Sequence, residues 1–93
     1  MVKRKILDYT VVLKPDVRSG TGEKSYLAYC PTLQVFSEGD TVEEALSNVK
    51  EAIELNLQIM TEDRQDIPVE RTDQTIVAST RVFVPARATL AIT

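Results

Sequence analysis

Apolar side chains recur at helical spacing in the middle of the chain, over residues 42–60. Spacings of three and four residues place them along one side of a helix, as in amphipathic helices that cover a core. Thr41 comes directly before this stretch, and Glu44 lies three residues after Thr41. This spacing is the pattern of a capping box. We therefore predict one long helix, capped by Thr41, with a buried stripe made of Val42, Ala45, Leu46, Val49, Ile53, Leu57 and Met60.

Two apolar residues of the predicted helix, Leu55 and Ile59, fall outside this stripe. They are one helical turn apart, and Ala52 lies on the same flank. Single exposed apolar residues are normal on protein surfaces, but a cluster of them needs cover. They either cover a loop of the same domain or pack on another chain, and Leu55 and Ile59 are our candidates for self-association.

Alternating polar and apolar residues precede the helix. Over residues 6–14, Leu7, Tyr9, Val11 and Leu13 share one face, which indicates a strand with one buried side. Residues 15–24 contain Pro, Asp, Ser and two Gly and predict a hairpin loop. Residues 25–30 and 33–37 predict two further strands with short links, an arrangement that favours an antiparallel meander.

Residues 75–84, after the helix, are again typical of a strand, and Pro85 separates them from a weakly alternating end. This fourth strand could join the sheet beside an earlier strand or pair with a second copy of the chain. We predict a single α+β domain over residues 1–93. Its three-stranded antiparallel sheet carries one long helix on one face and is followed by a C-terminal strand, in the order β-β-β-α-β.

The composition of the chain narrows the range of possible functions. The 93 residues carry a net charge of −3, and 43% of them are hydrophobic, as in an ordinary globular domain. No apolar run is long enough to span a bilayer. The lone cysteine excludes an internal disulfide, and we expect a cytoplasmic protein. Nucleic-acid binding depends on Lys and Arg that neutralise phosphates, so the acidic charge disfavours it. An acidic chain instead complements a basic partner.

The sequence offers little catalytic chemistry. Without histidine there is no Ser-His or Cys-His pair and no zinc site that uses histidine. Cys30 lies beside Pro31 at a predicted strand end and is expected to be a buried structural thiol. Asp40, Glu43 and Glu44 could act as an acidic cluster, but turn and helix-cap roles explain all three. We expect a protein that is not an enzyme and needs no cofactor or metal.

Three tyrosines on neighbouring strands allow a second interpretation. Tyr9, Tyr26 and Tyr29 could form a stacking platform for RNA bases, as in RNA-binding sheets. No Arg or Lys is interleaved with them, so packing between strands is the favoured interpretation.

Several motifs follow one another in a fixed order, namely residues 9–13, Tyr26-Leu-Ala-Tyr-Cys-Pro31 with Leu33, Ser37-Glu-Gly-Asp-Thr-Val-Glu-Glu-Ala-Leu46, residues 48–57, and Asp66-Ile-Pro68. In this combination the chain resembles the HicB-like antitoxins, small strand–strand–strand–helix–strand domains of bacteria and archaea. The resemblance covers residues 6–68, about two-thirds of the chain. Where family members commonly carry Pro-Gly before the third strand, this chain has only Gln34.

The resemblance implies a binding role. Members of the family pair with HicA, a small basic toxin that cleaves RNA with a histidine, and neutralise it by covering its active surface. Many also carry a C-terminal DNA-binding module, but residues 69–93 are typical of a strand segment with no clear module of that kind. We expect a homo-oligomer, with Leu55 and Ile59 as the candidate self-association residues. We also expect a basic partner, bound by Glu38, Asp40, Glu51 and Glu54.

Two other functions stay open. The chain could be a stand-alone nucleic-acid-binding or regulatory protein without a toxin, using Lys3, Arg4, Lys5, Arg71, Arg81 and Arg87. A minor enzyme built on the acids around Asp40 is the third hypothesis.

Overall fold

A computed structural model describes residues 5–17, 20–71 and 76–91. Three strands precede one helix, and their bounds are β1 Val12–Val17, β2 Lys24–Cys30, β3 Val35–Gly39 and α1 Val42–Glu62. The strands form one antiparallel sheet in the order β1-β2-β3, so that β2 is central. The predicted meander and the predicted long helix are confirmed.

The strand boundaries differ from the prediction at β1 and β3. β1 begins six residues later than predicted and includes Pro15, which the prediction placed in the loop. Proline is tolerated there because β1 is an edge strand, where one side of the backbone needs no ladder hydrogen bond. Leu33 and Gln34 belong to a turn instead of β3, and the Gln34 N–H donates to the Pro31 carbonyl oxygen over 3.3 Å.

The core lies between the sheet and α1, which packs on β3 and β2. Its buried members come from β2 and from the predicted helix stripe, and they are Ala28, Cys30, Ala45, Val49 and Ile53. The stripe prediction was wrong for Val42 and Leu46, which are 36% and 40% exposed because they lie at the edge of the contact between α1 and the sheet. Part-buried residues pack around the core, and among these Tyr9, Val11 and Leu13 confirm most of the predicted inward face of the first strand region. Leu7, predicted on the same face, is exposed. Cys30 is a buried free thiol, as predicted.

Both ends of α1 are defined by hydrogen bonds. At the start, the Glu44 N–H donates to the Thr41 hydroxyl oxygen over 3.0 Å, which confirms Thr41 as the N-cap. At the end, the Gln65 N–H donates to the Met60 carbonyl oxygen over 2.8 Å, and the Arg64 N–H to that of Thr61 over 3.1 Å. This pair of bonds is a Schellman motif, and it places Arg64 in the left-handed region with φ 58°.

The predicted C-terminal strand is not formed in the single chain. Thr75, its predicted first residue, lies outside the described residues, and residues 76–91 contain neither strand nor helix. The apolar side chains from Ile76 to Val84 are exposed. A strand needs a neighbour to pair its N–H and C=O groups, and this segment has none in the described part of the chain.

Candidate interaction surfaces

The face of the sheet that α1 does not cover carries every second side chain of the three strands, and we call it the open sheet face. At one register position on it, Val12, Tyr29 and Phe36 lie opposite one another across β1, β2 and β3. All three are exposed, Phe36 by 67%. We call these three residues the apolar row. Contiguous exposed apolar side chains are typical of interaction surfaces.

Charged residues lie beside the apolar row on the same face. The next register position brings Lys14, Leu27 and Glu38 opposite one another, and Asp16 follows two residues further along β1. The carboxylates of Asp16 and Glu38 therefore lie on the same face as Lys14. An aromatic centre with a charged border has the anatomy of a protein–protein interface.

The four acidic residues predicted to hold a basic partner are all exposed, but they do not form one cluster. Glu38 lies on the open sheet face, and Asp40 lies in the turn between β3 and α1. Glu51 and Glu54 project from α1, on the other side of the sheet. Within the described residues, no group of three or more acidic or cysteine side chains is arranged to hold a metal ion.

The tyrosines do not form the stacking platform that was considered from the sequence. Tyr9 and Tyr26 pack against the core on the side of α1, whereas Tyr29 lies on the open sheet face. Strand alternation separates them, because residues an odd number apart on one strand point to opposite faces. Leu55 and Ile59 are exposed on α1, so no loop within residues 5–17, 20–71 and 76–91 covers them.

A second apolar surface lies on the other face of the sheet, beside α1. Because α1 packs on β3 and β2, a groove of about 1380 Å³ remains between the helix, residues 5–11 and residues 64–69. Its apolar lining includes Val11, Leu46, Val49, Ile53 and Leu57. We call it the α1 groove.

The Glu70 carboxylate forms hydrogen bonds that hold the chain in place next to this groove. Glu70 accepts hydrogen bonds from the Thr10 N–H over 2.8 Å, from the Thr10 hydroxyl over 2.5 Å and from the Thr32 hydroxyl over 2.6 Å. Nearby, the Tyr9 hydroxyl donates to the Pro68 carbonyl oxygen over 2.6 Å. We call the contacts of Glu70 the Glu70 clasp. It joins the segment after α1 to the start of the sheet.

The contacts around the Glu70 clasp shift the pKa values of Glu70 and Tyr9. The hydrogen bonds from Thr10 and Thr32 favour the charged carboxylate and lower the pKa of Glu70. Burial raises the pKa of the Tyr9 phenol, and electrostatic interactions with the neighbouring Cys30 and Glu70 raise it further. These contacts could not be predicted from the sequence, because Glu70 accepts hydrogen bonds from residues 38 and 60 positions away.

Comparison with known proteins adds two matches. The family described as "HicB_like antitoxin of bacterial toxin-antitoxin system" matches residues 9–82. The UPF0150 protein ssr1765 of Synechocystis sp. is 40% identical over 68 residues, which cover 72% of this chain and 80% of that protein. No solved structure matches the chain significantly. In the part of the chain that the structure describes, no helix has the length and apolar character to cross a membrane.

Proposed function

The chain belongs to the family of HicB-like antitoxins of bacterial toxin–antitoxin systems, and from this premise we propose that it binds and neutralises a small basic HicA-type ribonuclease toxin. It acts by covering the partner and carries out no reaction of its own. No cofactor or metal takes part. The complex forms in the cytoplasm, where the RNA substrates of such a toxin are found.

The apolar row is the observation that supports this proposal most. Val12, Tyr29 and Phe36 place two aromatic rings and a branched side chain side by side on an exposed sheet face. Aromatic residues at the centre of an interface commonly supply most of the binding free energy. A flat sheet face is also rigid, so little conformational entropy is lost when a partner docks on it.

The negative charge of the chain also supports a small basic toxin as the partner. The net charge of −3 attracts a basic protein over distance, and the acids bordering the apolar row complement its surface at close range. Of the four predicted contact residues, Glu38 lies on the open sheet face and Asp40 lies in the turn next to it. We assign these two to direct contact. Glu51 and Glu54, on α1, contribute to the long-range attraction.

Binding to a small basic toxin of the HicA type tests the proposal. The partner is prepared with its catalytic histidine replaced, so that it can be expressed alone, and titrated calorimetrically with the full chain. We expect saturable binding that Phe36→Ala weakens at least tenfold, since central aromatic contacts carry that much free energy.

Leu90→Ala is the matched control, because Leu90 is exposed but lies outside the open sheet face. It should bind like the unchanged chain. Equal affinity of the Phe36→Ala variant and the control would remove the apolar row from the interface. Absence of binding by the unchanged chain would remove the toxin-neutralising function itself.

A further inference from the structure

The side of α1 that points away from the sheet carries two large apolar residues. Leu55 and Ile59 are 59% and 47% exposed, and they lie one helical turn apart. Leu55 lies about 160° around the helix axis from Ile53, which is buried under α1. Half-buried Ala52 lies on the same flank, and we call Ala52, Leu55 and Ile59 the α1 outer strip. Side chains four residues apart form a ridge of the kind on which a second helix packs.

The charged residues of α1 that border the α1 outer strip are acidic. Glu51 precedes Leu55 by four residues and Glu62 follows Ile59 by three, so both exposed carboxylates lie beside the strip. The only basic residue of α1 is Lys50, and it lines the α1 groove instead. Exposed helices are commonly stabilised by a Lys four residues after a Glu, and the strip has no such pair. The outer side of α1 is therefore an apolar ridge with a negative border.

The C-terminal end of α1 adds to this negative charge. Its last turn contains no basic residue, and Glu62 and the C-cap Asp63 lie where the helix dipole is already negative. Arg64 follows the cap, but it lines the α1 groove. Cations stabilise this end of a helix, so the two acids oppose the stability of the chain alone. A local rule that is broken in this way is typical of functional sites, and a cation supplied by a partner would offset the cost.

Charge also indicates which partner fits the α1 outer strip. In a two-fold antiparallel pair of α1 helices, Leu55 would pack against Ile59 of the second copy, and Glu51 would then lie opposite Asp63. Each copy would place carboxylates against carboxylates, and like charges that face one another across an interface are unfavourable. Lys or Arg at the same positions of a different helix would face acids instead. The strip therefore suits a basic partner better than a second copy of the chain.

We propose that the α1 outer strip binds an amphipathic helix of a basic protein. Two apolar side chains of that helix cover Leu55 and Ile59, and its Lys or Arg side chains face Glu51, Glu62 and Asp63. The open sheet face lies on the opposite side of the sheet, so the chain can bind this partner and a toxin at the same time. The interaction at the strip does not depend on toxin neutralisation.

Fluorescence anisotropy with the full chain and a defined peptide tests the proposal. The probe is a labelled, alanine-rich helical peptide of about 18 residues, which is about 27 Å long and fits on α1. It carries two leucines four residues apart, with lysines on both sides of them. The control peptide has the same composition but places its two leucines on opposite sides of the helix. We expect saturable binding of the probe near physiological ionic strength and about tenfold weaker binding of the control peptide, which loses one leucine contact.

Variants of the chain locate the contact. Leu55→Gln keeps a residue of high helix propensity but removes the apolar contact, so it should weaken probe binding about tenfold. Leu46→Gln is the matched control, because Leu46 lies on the opposite side of α1 from Leu55, and it should bind like the unchanged chain. Replacing Glu51 and Glu62 together with Gln should weaken binding about threefold and make it less sensitive to added salt. Circular dichroism checks that each variant is folded.

Several results would overturn the proposal. Absence of saturable binding would do so, and so would equal binding of the probe and the control peptide, which would indicate non-specific attraction between opposite charges. Binding that resists Leu55→Gln would do so as well, and its loss with Phe36→Ala would assign the peptide to the open sheet face. An unchanged chain that is dimeric by light scattering, together with a monomeric Leu55→Gln variant, would show that a second copy occupies the strip.

Discussion

Gly39 is the residue through which the close approach of α1 to the sheet can be tested. It is buried at the end of β3, just before the turn into the helix. A Cβ atom at this position would lie 2.5 Å from the Ala45 nitrogen, 2.8 Å from the Glu44 carbonyl carbon and 3.0 Å from the Ala45 Cα. These are backbone atoms of the first helical turn, where the Ala45 N–H also donates to the Thr41 carbonyl oxygen. No side-chain rotation can relieve the contact.

The cost of Gly39→Ala follows from these distances. Carbon atoms in favourable contact are about 3.5–4.0 Å apart, so the start of α1 must move by about 1 Å. That shift separates Ala45 and Val49 from the sheet residues Ala28 and Cys30, all of them buried in the core. Overpacking costs about 1–3 kcal/mol, and because backbone must move we expect the upper end, about 3 kcal/mol. For a domain of this size it lowers the melting temperature by about 12–24 °C.

Urea denaturation followed by circular dichroism, at one fixed protein concentration, measures the change. Gly20→Ala is the control, because nothing lies within 4 Å of its added Cβ and only its φ of 90° is strained. The control should lose about 1–2 kcal/mol. If Gly39→Ala costs no more than Gly20→Ala, the packing of α1 on β3 is not as close as we describe.

Three further changes test the core, the helix end and the Glu70 clasp. Ile53→Ala should lower the free energy of unfolding by about 2–4 kcal/mol in urea, because it leaves a cavity under α1, whereas exposed Gln58→Ala should change it little. Arg64→Gly should raise the free energy of unfolding by about 1 kcal/mol in the same assay, since glycine adopts the left-handed conformation without strain. A loss of stability would contradict this account of the helix end. For Glu70, the lowered pKa means that the clasp stabilises the fold above the ordinary carboxyl pKa and loses this effect as the pH falls through the lowered value. Glu70→Gln should therefore reduce stability at pH 7 and flatten the acid side of the stability–pH curve, and an unchanged curve would refute the role of the clasp.

The parts of the fold that were predictable are those encoded by neighbouring residues. The Thr41 cap and the helix stripe depend on contacts three or four positions apart, so the sequence contains both partners of each contact. The inward face of residues 9–13 follows from alternation in the same way. These features need no knowledge of the rest of the chain.

The ends of the strands were less predictable, because pairing with the neighbouring strand determines where each strand begins and ends. Pro15 looked like a loop residue, yet it pairs with Tyr26 because β1 is an edge strand. Gln34 is not a glycine, and it still makes the turn before β3 with a φ of 56°. Pairing with β2 determines where β1 and β3 begin, and a single sequence does not contain that information.

Long-range contacts were beyond prediction altogether. Glu70 looked like one more charge in a polar connector, and only the fold brings it to Thr10 and Thr32. The apolar row likewise depends on the register that aligns Val12 with Tyr29 and Phe36. The apolar pattern of residues 76–84 was visible in the sequence, but a strand forms only where another strand edge accepts it.

Neutralisation of the toxin is the central claim, and an RNA-cleavage assay measures it most directly. An active small basic toxin of the HicA type is incubated with RNA while the full chain is added in increasing amounts. We predict that cleavage stops once the two proteins are equimolar, and that Phe36→Ala requires at least a tenfold excess to reach the same inhibition. Undiminished cleavage in the presence of excess unchanged chain would contradict the account.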